Sequence, residues 1–103
     1  MEINKRWGLI EHIKVEGKLI LSSPSFDVDS FPKVGEELVC LLSAEIKEKQ
    51  LDADLHSWLI DFEGCLFFLR AEHYSESVWL EALYKEESWE EVAYLASLFS
   101  QGF

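Results

Sequence analysis

Cysteine is nearly missing from this chain of 103 residues: Cys40 and Cys65 stand alone, with no CxxC spacing. Two thiols are too few for a disulfide scaffold, so a reducing compartment is expected and an apolar core must hold the fold. Long apolar runs are missing too. None exceeds five residues, as in CLFFL at Cys65–Leu69, far short of the about 20 needed to cross a bilayer. The opening MEINKRWGLIEH has no apolar stretch of the secretory kind. A soluble cytoplasmic protein with no membrane partner is therefore expected. Basic residues are scarce: nine Lys and Arg face twenty Asp and Glu, for a formal charge of −11. Residues 51–103 hold only Arg70 and Lys85 against eleven acids. Nucleic acids and anionic membranes need clustered Lys and Arg, so both are excluded as partners, whereas a basic protein partner is permitted. HExxH, a glycine-rich phosphate loop and a G-x-S-x-G elbow are all lacking. No cofactor is expected.

What is present is an apolar fraction of 49% and an aromatic fraction of 14%, the composition of a globular protein with a real core. The expectation is a single α+β domain spanning residues 1–103. Two strand pairs carry similar turn signals. LIEHIKV and KLILS flank Glu16–Gly17, and LHSWLIDF and CLFFLRAEH flank Glu63–Gly64. Glutamate resists positive φ, so a type I turn followed by a glycine bulge is expected at both, with Gly17 and Gly64 as bulge residues. That geometry sets Leu9, Ile13, Leu19 and Leu21 on one face of the first hairpin and His12, Lys14, Lys18 and Ser22 on the other.

Ser30 as N-cap and Pro32 in the first turn open a helix whose stripe is Val34, Leu38, Leu41 and Leu42. KEKQLDAD reads as a polar connection with room for an edge strand. Two more helices are expected in the last third. The first is capped by Ser75, with Trp79, Ala82 and Leu83 inward. The second opens on an S-x-x-E capping box, Ser88 and Glu91, with Trp89, Val92, Leu95, Ala96 and Phe99 inward. On this reading Trp79 and Trp89 are core residues. The fold class is α+β in two layers: a mostly antiparallel sheet of four to five strands with helices on one face, in the order ββ-α-ββ-α-α.

The second hairpin is the informative feature. In the bulged register Trp58, Ile60, Leu66 and Phe68 share one face, and Leu55, Leu59, Phe67 and Leu69 the other. A shift of one residue changes the partners but leaves large apolar groups on both faces. Each such side chain is worth about 1.5–3 kcal/mol when buried, so both faces call for cover. Helices can supply one. The other must meet Trp7, the loop with Phe26 and Phe31, the last helix, or a second subunit. Leu59, Phe67 and Leu69 are the candidate face of a homodimer. Glu86, Glu87, Glu90 and Glu91 form a candidate acidic surface for a basic partner, and they also suit the positive N-terminus of the last helix.

Asp54, His56, Glu72 and His73 meet at the open end of the same hairpin. Carboxylates with imidazoles are what a divalent metal or an acid/base site requires. The reading preferred is a solvated hairpin end with no metal and no catalytic residue; a small metal-dependent or acid/base enzyme is the alternative. Cys40 sits late in its helix among acids, an environment that does not activate a thiol, and Cys65 reads as a small apolar filler. The function expected is a non-catalytic interaction or adaptor domain that forms a homodimer.

The run HYSESVWLEAL, His73–Leu83, together with the chain length, resembles a small uncharacterised bacterial family of proteins of about a hundred residues. The resemblance implies a bacterial cytoplasmic origin and brings no assigned activity, so it assigns no functional residues.

Overall fold

The computed structural model describes residues 6–103. The chain runs β1 (Gly8–Ile13), a 3₁₀ turn (Lys14–Glu16), β2 (Lys18–Ser22), α1 (Phe31–Leu41), β3 (Glu45–Asp52), β4 (Leu55–Phe62), β5 (Cys65–Glu72), β6 (Ser77–Ala82) and α2 (Trp89–Gln101). The six strands form one antiparallel sheet in the order β1-β2-β6-β5-β4-β3. Strands β3 to β6 are a meander, and the β1–β2 hairpin docks on its free edge at β6. The α+β class stands. The strand number is six rather than four or five, and the order is ββ-α-ββββ-α.

The extra strands come from two segments. KEKQLDAD supplies most of β3, an edge strand with charged residues along its length, the usual protection of an exposed edge. SVWLEA, expected within a helix, is β6. Its residues fit both periods, since Val78, Leu80 and Ala82 alternate as well as Trp79, Ala82 and Leu83 recur. The backbone decides. β2 and β5 each offer unpaired N–H and C=O groups that only a strand between them can satisfy, and six residues are too few to nucleate a helix on their own. Val78, Leu80 and Ala82 are accordingly buried and Ser77, Trp79 and Glu81 half-buried on the other side.

The turns fix the register. Phe62 pairs with Cys65, which leaves Glu63 and Gly64 as a two-residue turn. Both residues are left-handed, with φ of 52° and 83°. That is a type I′ turn, whose twist matches the strands, and not the expected bulge. The Asp61 carboxylate accepts the Gly64 N–H at 2.9 Å and offsets the strain at Glu63. In the first hairpin Gly17 does close the turn, with φ of 63° after the 3₁₀ residues. A bulge between Leu9 and Glu11 then changes the parity of β1. His12 pairs with Leu19 on the helix side, and Ile13 pairs with Lys18 on the other, which reverses the expected sides of both.

Both helices lie on one side of the sheet. α1 buries Phe31, Val34, Gly35, Leu38 and Val39; Leu42 is buried just beyond it, whereas Leu41 is exposed. Gly35 lets the helix approach closely, since a Cβ there would stand 2.8 Å from the Trp58 ring. α2 buries Val92, Leu95, Ala96 and Phe99 over β1 and β2. The expected capping box is not made, because Ser88 gives no side-chain cap bond; Ser88 is buried next to the Cys65 thiol instead. Burial pushes that thiol above its ordinary pKa. Trp89 is 66% exposed, at the first position of α2 and outside the stripe it was expected to join. Trp7 is buried on the helix side, where its ring N–H donates to Glu37 at 3.3 Å and its backbone pairs with Phe103.

Candidate functional site

With both helices, Trp7 and the Phe26–Phe31 loop gathered on one side, no element among the described residues covers the other. This uncovered face is built from the strand residues of opposite parity. One row crosses five strands as Leu59, Phe68, Glu81, Lys18 and Ile13. The next runs Ser57, Arg70, Trp79, Ile20 and Glu11. Leu55 and Leu66 flank them. Apart from Glu11, each of these side chains is half-buried against its neighbours.

The centre of the face is a polar and aromatic cluster. Glu81 Oε1 accepts from Arg70 Nη1 and from Trp79 Nε1, each at 3.2 Å. The Arg70 guanidinium lies 4.3 Å above the Phe68 ring, and the Lys18 ammonium is 5.5 Å from the Trp79 ring. These long side chains shield the rings in part with their own stems. Among the described residues Arg70 Nε is buried with no hydrogen-bond partner.

The register divides the candidate dimer residues. Phe67 and Leu69 belong to the helix-side core, at 1% and 0% exposure, while Leu59 lies on the uncovered face. Leu66 and Phe68 take the places expected for Phe67 and Leu69, because the two-residue turn moves β5 by one position. Trp79 joins this face because SVWLEA is a strand and not a helix, and Ile20 because β2 pairs with β6.

Glu86, Glu87 and Glu90 are exposed and Glu91 half-buried. The first two lie in the connection from β6 and the last two in the first turn of α2. Glu86 and Glu87 share a hollow with Glu81 of the uncovered face, whereas Glu90 and Glu91 line one with Phe62, Glu63 and Tyr94.

At the open end of the β4–β5 hairpin the structure joins some candidates and separates others. His56 Nδ1 and His73 Nε2 are 2.5 Å apart, one ring donating to the other. His56 is buried on the helix side among Phe31, Trp58 and His73. Burial, with the His73 ring second, holds its pKa below the ordinary value. His73 packs against Phe26, and its Nδ1 is buried without a partner among the described residues. The Glu72 carboxylate is committed to the β5–β6 turn, accepting from the Ser75 hydroxyl and the Tyr74 and Ser75 N–H groups. These bonds lower its pKa, the Ser75 hydroxyl most. Asp54 contributes its backbone carbonyl to the His73 N–H at 2.8 Å. Among the described residues no group of three or more His, Cys, Asp or Glu is placed to hold a metal ion. Cys40 is exposed on α1. No described helix is long and apolar enough to cross a membrane.

No curated protein and no solved structure matches the chain. A family model matches residues 7–100, nearly the whole length, and the chain therefore belongs to the family described as Protein of unknown function (DUF3630).

Proposed function

We propose that this domain is a non-catalytic interaction module that pairs with a second copy of itself through the uncovered sheet face and offers an acidic surface to a basic protein. The observation that carries the first part is the composition of that face. It holds Trp79, Phe68, Arg70, Leu55, Leu59, Leu66 and Ile20, and Trp and Arg are the residue types over-represented at binding hot spots. Six strands of five to eight residues, at about 4.8 Å spacing and about 3.4 Å per residue, give a face of about 670 Å² in plan, the same order as the roughly 800 Å² of surface each partner contributes to a standard interface. The face carries both signs of charge, Lys18 and Arg70 beside Asp61, Glu72 and Glu81. A two-fold axis can therefore set the bases of one copy against the acids of the other. Leu59→Lys and Phe68→Glu are predicted to weaken self-association while leaving the helix-side core intact. Unchanged association in both variants would remove this face from the interface.

The acidic arm rests on Glu86, Glu87, Glu90 and Glu91. Reversing all four to Lys is predicted to weaken capture of basic partners from a host lysate and to reduce its salt sensitivity. Capture that is equally strong and equally salt-sensitive would leave these residues with a solvating role only.

A small metal-dependent or acid/base enzyme is the second reading, and the His56–His73 contact is what favours it. It requires a metal affinity that is lost in the His56→Ala/His73→Ala double variant. The commitment of Glu72 to its turn weighs against it, as does the lack, among the described residues, of a third His, Cys, Asp or Glu grouped with the two imidazoles.

A further inference from the structure

We propose that the cavity between the first hairpin and the start of α2 is a binding site for a small amphipathic monocarboxylate, a short acyl chain or a single ring with one anionic end. It lies on the helix side of the molecule and is independent of the self-association surface. The cavity holds about 220 Å³, below the about 300–1,000 Å³ of sites for drug-sized ligands. Its apolar wall is Trp89, Val92 and Ala93 of α2. The ionisable residues that line it are His12, Lys14 and Lys85, all of them basic. Among the described residues no acidic side chain lines it, in a chain of net charge −11. That inversion of the local charge selects an anion.

Two further features favour a ligand. Trp89 is 66% exposed beside this apolar wall, although Val92 one turn on is buried. A large ring left in water at the mouth of a cavity is the kind of surface that a bound apolar group covers. Lys85 is held in place: its ammonium donates to the Val15 carbonyl at 2.9 Å, and its Cβ would lie 2.9 Å from a Cβ at Gly17. The lysine is thus anchored across the gap between hairpin and helix, with its charge at the rim. Glu86 shares an adjoining hollow with Lys14 and Lys85, which limits the excess positive charge and fits a single carboxylate better than a phosphate.

The test is a titration of the ¹⁵N-labelled full chain with octanoate, and in parallel with 1-octanol, which has the same chain length and no charge. Octanoate is expected to give saturable shifts at residues 12–17 and 85–93, with octanol about tenfold weaker, the preference that two exposed charge pairs support. Lys14→Gln/Lys85→Gln should bring the two ligands to equal affinity. Ala93→Trp, an exposed helical position on the cavity wall, should abolish both. If Ala93→Trp lowers spectral dispersion, the lysine pair carries the test alone. Shifts that do not saturate at millimolar octanoate, that map elsewhere, or that are the same for octanol would overturn the proposal.

Discussion

Phe67 and Phe68 are neighbours in sequence and occupy opposite faces of β5, so their truncation should differ sharply. Phe67 is 1% exposed and packs edge-on against Phe62 with ring centroids 6.4 Å apart. Phe67→Ala removes a fully buried ring and leaves a cavity, which costs about 3–5 kcal/mol. A 103-residue domain has a total stability of about 5–15 kcal/mol, so this variant is at the margin of folding, and the milder Phe67→Leu belongs in the same series. Phe68 is half-buried on the uncovered face under the Arg70 guanidinium at 4.3 Å. In the isolated subunit Phe68→Ala loses a cation–π contact of about 0.5–1 kcal/mol and part of its burial, about 1–2 kcal/mol together. Urea unfolding at sub-micromolar protein, where any dimer is dissociated, is the assay. With a slope of about 1.5 kcal/mol per molar, the Phe67→Ala midpoint should fall by roughly 2 M or more, and the Phe68→Ala midpoint by roughly 1 M. If Phe68→Ala proves as costly as Phe67→Ala, or costlier, the two-residue turn register is refuted and the bulged register returns.

The buried histidine gives a pH dependence with a defined sign. His56 has its folded pKa lowered from 6.5, so the unfolded chain binds more protons. Its contribution is complete above about pH 6.5 and is lost as the pH falls through the lowered folded value. Thermal melts should begin to drop as the pH falls below about 6.5, and His56→Phe should flatten this first part of the drop. The lowered pKa values of Asp27 and Glu72 act below about pH 4.5 and fall outside this window. In the hairpin turn, Glu63→Gly relieves a left-handed non-glycine residue and is predicted to stabilise by about 1 kcal/mol, read as a higher melting temperature. The variant keeps the Asp61 contact to Gly64, so an unchanged or lower melting temperature would refute strain at Glu63.

The legible parts of the sequence were those where one period dominates. α1 shows a clear helical stripe at Val34 and Leu38, and both strands of the second hairpin were evident from their apolar density. That density also carried the inference of two apolar faces, which holds in the two-residue register although the partners changed. Two kinds of information were missing. SVWLEA satisfies helical and strand periods equally, and only the open edges of β2 and β5 decide between them. The turn at Glu63–Gly64 depends on Asp61, whose carboxylate holds the Gly64 N–H and makes left-handed glutamate tolerable. The first needs the assembled sheet; the second spans only three residues, and the Glu63–Gly64 pair by itself does not carry it. Trp89 shows the same limit: its spacing fits the stripe of α2, but the helix begins at it, and its ring falls outside the core.

Sedimentation equilibrium of the full chain, from about one to several hundred micromolar at moderate salt, tests the association module most directly. The reading predicts a reversible rise from the chain mass of 12.0 kDa to twice that value, with the transition moved to higher concentration by Leu59→Lys. A mass that stays at 12.0 kDa across the whole range, with Phe68 and Trp79 left facing water, would contradict it.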